Sequence, residues 1–110
     1  MCHVFASTDP ELFEPATRSV RIGGVVTSLR LEVAFWRIVD DIARASGLST
    51  GRFLSTLYDE VVELRGEIGN FASLLRVIAC RWISGEVTGI AQPGVFAAAA
   101  VEPPRLIADA

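Results

Sequence analysis

A mainly helical fold that opens with a short β-ribbon and is completed by a second copy of the chain is what this sequence predicts, on three observations. Two alternating runs rich in β-branched residues, Ser19–Ile22 and Val25–Leu31, flank the pair Gly23-Gly24, the signal of a two-residue hairpin. Apolar residues then recur at spacings of three and four in three successive stretches, each bounded by glycine or by a good N-cap residue. Finally, 51% of the 110 residues are apolar and the mean hydropathy is +0.43. A domain this small buries a modest share of its surface alone, so the apolar surplus is assigned to an interface between subunits.

In the second strand-like run, Thr27, Leu29 and Leu31 face one way and Val26, Ser28 and Arg30 the other. Such a strand has an apolar face to cover and an edge whose backbone groups need partners. The same strand of a second copy, antiparallel about a two-fold axis, supplies both. An intertwined homodimer is therefore expected.

Glu32 to Trp36 opens the first helix. Its buried stripe is expected at Phe35, Ile38, Val39, Ile42 and Ala45, its wet side at Arg37, Asp40, Asp41 and Arg44, and its end at Gly47. Ser49 is the expected N-cap of a second helix, whose apolar residues Phe53, Leu54, Leu57, Tyr58, Val61 and Val62 form an unusually wide face. Arg65–Gly69 breaks that helix. Asn70 then caps a third, with Phe71, Leu74, Leu75, Ile78 and Trp82 on one side and Gly85 at its end. The core shared by two subunits is expected at Leu29, Leu31, Phe35, Ile38, Ile42, Leu54, Leu57 and Val61. Around this domain, residues 18–84, lie a flexible arm, 1–17, interrupted by Pro10 and Pro15, and an irregular or disordered tail, 85–110, with Gly89, Pro93, Gly94, Pro103 and Pro104.

The net charge is −3, and all ten basic residues are arginines. Their distribution says more than the sum. Ala16–Arg37 holds four arginines against Glu32, whereas Ile38–Glu67 holds three arginines against six acids. A basic segment followed by an acidic one allows a local anion contact without a basic protein. Cys2 and Cys80 do not form a disulfide framework, no signal peptide is recognisable and charges interrupt every apolar run, so a cytoplasmic protein away from membranes is expected. Cys80, in the third helix, reads as a small buried hydrophobe.

Thr27-Ser28-Leu29-Arg30-Leu31-Glu32, then Phe35-Trp36, then Ala43 through Gly47-Leu48-Ser49, resembles the ribbon-helix-helix pattern. Arg18-Ser19-Val20 with Gly23-Gly24, and downstream Asn70, Ser73 and Leu75-Arg76-Val77, are similar to a bacterial branch of that family with an extra C-terminal helix. The resemblance covers Arg18–Ile83. It implies a dimer whose paired strands enter the DNA major groove, with Val26, Ser28 and Arg30 turned to the bases. It also implies phosphate at the start of the second helix, Ser49, Thr50, Gly51 and Arg52, where free amides and the helix dipole favour an anion. Arg18 and Arg21 are candidates for further phosphate contacts. The sequence departs from the pattern at Val25 and Val26, where relatives carry polar or basic residues. Valine can meet only a thymine methyl, which leaves base reading to Ser28 and Arg30. Arg30 has a competing option, an ion pair with Glu32 or an acid of the second helix.

No catalytic constellation is present. Cys2 and His3 are confined to the arm without an orienting third group, and they fall short of the four ligands of a structural zinc. Gly23-Gly24 lacks the following glycine and the lysine of a phosphate loop. No cofactor, metal or enzymatic activity is expected. Two classes remain: a transcriptional regulator binding double-stranded DNA as a dimer, and a protein-interaction, assembly or antitoxin-like module that keeps the fold with weak or no DNA binding and meets a protein partner through its tail.

Overall fold

The computed structural model describes residues 2–87. A short helix, α1 (Cys2–Ala6), and a 3-10 turn, Pro10–Phe13, lead into two strands, β1 (Pro15–Ile22) and β2 (Val25–Glu32). Three longer helices follow, α2 (Val33–Ala45), α3 (Thr50–Arg65) and α4 (Phe71–Ile83). The expected tail from residue 88 onward lies outside the described residues.

The strands form a two-stranded antiparallel sheet in continuous register, from Ile22 opposite Val25 to Pro15 opposite Glu32. Gly23 and Gly24 make the two-residue turn, both with positive φ, 59° and 81°. A type I′ turn requires that sign at both central positions. The hairpin begins at Pro15, three residues before the expected boundary at Arg18, inside the stretch expected to be a flexible arm. That stretch is tied down where the Val33 amide donates to the Glu14 carbonyl, 2.9 Å, and the 3-10 turn packs on α2.

The main correction concerns the strand partner. β2 was expected to be unfinished alone, but it pairs along its whole length with β1 of its own chain. A two-residue glycine turn closes this pairing locally, at far less entropic cost than a distant contact. β2 nevertheless keeps its other edge open, because the sheet of the described residues has no third strand.

The core lies between the hairpin and the helices. Val20, Ile22, Leu29 and Leu31 from the sheet, Trp36, Val39, Ile42 and Ala43 from α2, Phe53 and Leu54 from α3, and Leu75 from α4 form one buried cluster. α3 packs against β1, and α4 against β2 and α2. On α2 the buried stripe is rotated from the expected one: Trp36, Val39, Ile42 and Ala43 are buried, while Phe35 and Ile38 are only partly covered. Trp36 drives the rotation. It is 2% exposed and its indole N–H donates to the Ala16 carbonyl, 2.8 Å, so the largest α2 side chain seals the seam with β1. Of the expected dimer-core residues, Leu29, Leu31, Ile42 and Leu54 are buried within a single chain, whereas Phe35, Ile38, Leu57 and Val61 are partly covered.

Helix ends follow the sequence signals. The Ser49 hydroxyl accepts from the Arg52 amide, 3.2 Å, and the Asn70 side chain accepts from the Ser73 amide, 3.0 Å. Gly47 follows α2 with φ 75°, where other residues would be strained. Cys80 departs from expectation: it is exposed, because Leu75 and Ala79 carry the buried face of α4.

Candidate nucleic-acid interface

Strand parity sorts the hairpin side chains onto two faces. Directly opposed residues share a face, so Thr17 with Arg30, Ser19 with Ser28, and Arg21 with Val26 form the outer surface. All six are exposed. Two guanidinium groups, three hydroxyls and one valine make up these three pairs, and the same parity brings Pro15 with Glu32, the one acid of the face, at its end. Val26, Ser28 and Arg30 thus point outward as expected from the alternation.

Arg30 is the informative member. Its competing partner, Glu32, is taken by Arg76 of α4, with Nε to Oε1 at 2.9 Å and Nη2 to Oε2 at 3.4 Å. That hydrogen-bonded guanidinium, then the Glu32 backbone amide and the charges of Arg76 and Arg30, hold the Glu32 carboxyl below its ordinary range against a small desolvation penalty. Among the described residues Arg30 makes no ion pair or hydrogen bond. It remains available.

Arg18, the other expected phosphate contact on β1, belongs to the opposite face and has an internal partner. It pairs with Leu29 across the sheet, so its side chain starts toward the core and runs out along α2. Its guanidinium donates to both Asp40 oxygens, at 2.9 and 3.0 Å, and lies 4.3 Å from the Trp36 ring centroid. Asp40 also accepts from the Thr50 hydroxyl, 2.7 Å. These contacts, Arg18 first, lower the Asp40 pKa although burial opposes them, and the same hydrogen bonds raise that of Arg18. Arg18 therefore clamps β1 to α2. Thr50 is held by the same carboxylate, which leaves its amide and not its hydroxyl for an outside anion.

The remaining phosphate candidates converge. Arg21, Gly24, Ser49, Gly51, Arg52 and Ser55 line one shallow concavity between the hairpin turn and the start of α3. Arg21 donates to the Gly24 carbonyl, 3.1 Å, which holds its side chain across the turn. The first amides of α3 have no intrahelical carbonyl to reach, and the Ser49 cap satisfies that of Arg52. Gly51 has open space where a Cβ would stand, so it needs no glycine for local packing.

The arginines are sorted by face. Arg18, Arg37, Arg44, Arg76 and Arg81 each meet an acid. Among the described residues Arg21, Arg30, Arg52 and Arg65 meet none, and the first three lie on the outer hairpin face or beside it. Sequence reasoning missed Thr17 and Ser19, which parity places there once β1 is extended to Pro15. It could not weigh Arg76, whose claim on Glu32 spans 44 residues.

The model of the family described as the ribbon-helix-helix domain matches residues 15–83, the hairpin and the three long helices. The chain belongs to the ribbon-helix-helix family. Members of this family generally dimerise and bind DNA, and their domains are typically non-catalytic. The chain is also similar to the solved structure of an uncharacterized protein from Bordetella pertussis Tohama I, at 36% identity over 84% of this chain and 78% of that one, with a TM-score of 0.76. No curated protein matches the chain. Among the described residues, no helix of this ribbon-helix-helix protein is long and apolar enough to cross a membrane.

Proposed function

We propose that this protein is a transcriptional regulator that binds double-stranded DNA as a homodimer, with the outer face of its hairpin in the major groove. The observation that carries the reading is the free Arg30 on an outer face whose one acid, Glu32, is already held by Arg76, in a chain whose net charge is −3. A planar guanidinium without an internal partner suits bidentate recognition of guanine, with Ser28 beside it and Val26 limited to a thymine methyl. Arg21, Arg52, Ser49 and the amides of Thr50 and Gly51 hold phosphate at the edge of the same face.

The dimer is built on the open edge of β2. An open strand edge eight residues long, on a strand with alternating apolar side chains, is a template for pairing, and the partly covered Phe35, Ile38, Leu57 and Val61 provide apolar surface for a second copy to bury. Fluorescence anisotropy on a labelled duplex tests the function. Affinity should fall steeply with salt, and Arg30→Ala should weaken it at least tenfold, the scale of one lost bidentate contact. Binding indifferent to both would overturn the proposal.

A protein-interaction module is favoured by a different element, α4. Val77 and Ile83 are exposed there, 55% and 60%, and the buried indole N–H of Trp82 has no partner among the described residues. Under that reading, Val77→Glu removes a co-purifying partner and leaves DNA binding intact.

A further inference from the structure

We propose that β1 forms the side walls of the DNA-binding surface, so that Thr17, Ser19 and Arg21 grip the two phosphate backbones while β2 alone reads bases. The inference rests on the DNA-binding dimer proposed above and adds a division of labour between the strands.

Joining two hairpins through the open edges of their β2 strands gives the order β1, β2, β2 of the partner, β1 of the partner. Strands in a sheet lie about 4.8 Å apart, so the two β1 strands are separated by about 14 Å. The major groove is about 12 Å wide and admits a two-stranded ribbon. The central β2 pair fits between the backbones. The outer strands do not, and each comes to rest against a row of phosphates.

The side chains fit those positions. β1 presents Thr17, Ser19 and Arg21 outward, two hydroxyl donors and a guanidinium, the groups that commonly contact phosphate. β1 is also the strand against which α3 packs, and Arg21 shares its concavity with Ser49, Gly51 and Arg52. Phosphate-type groups therefore gather on the β1 side of each hairpin, whereas Ser28 and Arg30 stand near the two-fold axis.

The test uses the full chain and a pool of 30-base-pair duplexes of random sequence, with selection and sequencing to read base preference and anisotropy to read affinity. The double variant Thr17→Ala/Ser19→Ala should weaken binding about thirtyfold or more on every duplex, the scale of four hydrogen bonds lost per dimer, and select the same sequences as the wild type. Arg21→Ala should lower the steepness of the log–log salt dependence by about 1.8, one phosphate per subunit. Ser19→Arg, at an exposed position, should tighten binding on all sequences. Arg30→Ala and Ser28→Ala, by contrast, should change the selected bases. A shift of base preference in the Thr17/Ser19 variant would place β1 in the groove and overturn the inference. So would unchanged affinity in that variant while Arg30→Ala weakens binding. If the wild type binds no duplex, the DNA-binding reading itself falls, and this inference with it.

Discussion

Arg18 and Arg21 stand three residues apart on the same strand, yet they meet different surroundings. Arg18 points under the sheet, donates twice to Asp40 and covers the Trp36 ring. Arg21 points away from the core, meets no acid among the described residues and borders the start of α3. The inner face of the hairpin is apolar with one arginine neutralised by a partner; the outer face carries hydroxyls and unpaired arginines. Charge counting along the chain treats the two residues alike. Strand parity separates them, and it decides which arginine holds the fold and which is free to meet a ligand.

The sharpest test of the inner face is Trp36. Its ring fills the seam between β1 and α2 and its N–H reaches Ala16. Trp36→Ala should destabilise the protein by about 3–5 kcal/mol, read as a lower urea midpoint. A loss below about 1 kcal/mol would mean that α2 and the hairpin are held by something else.

Exchanging the two arginines for alanine should give opposite outcomes. Arg18→Ala removes a bidentate ion pair and a cation–π contact. With the side chain 41% exposed, solvent screening limits the cost to about 1 kcal/mol, and the salt dependence of DNA binding should not change. Arg21→Ala should leave stability within about 0.5 kcal/mol and weaken the salt dependence. Equal behaviour of the two variants would dissolve the distinction between the faces.

The smallest effect is a pH dependence. Asp40 and Glu32 both have pKa values lowered in the folded chain, chiefly by Arg18 and Arg76 respectively. Their contribution is complete above the ordinary carboxylate range, about 4, and is lost as pH falls through the lowered values. Both pairs are partly exposed, so the combined loss should be about 1 kcal/mol or less. Urea midpoints at pH 7 and pH 3 should show it, and Asp40→Asn should reduce it. A midpoint that rises on acidification would contradict the assignment.

Most elements were legible in the sequence because their signals are local. Gly23-Gly24 specified the turn, Ser49 and Asn70 the starts of α3 and α4, and Gly47 the close of α2. What escaped depends on distant partners. The stripe of α2 rotates because Trp36 finds the Ala16 carbonyl across the seam, a contact no helical period encodes. Arg30 is free because Arg76, in α4, occupies Glu32. Cys80 is exposed because Leu75 and Ala79 already supply the buried face of α4. For the same reason the outward face of β2 was readable from alternation, while the matching face of β1 emerged only with its register.

Amide NMR spectra recorded while a duplex is titrated into the labelled protein test the central claim most directly. The account predicts the largest shifts at Thr17, Ser19, Arg21, Ser28, Arg30 and the first turn of α3, with Val77, Cys80 and Ile83 of α4 unmoved. Shifts concentrated on α4, with the outer face of the hairpin silent, would contradict it.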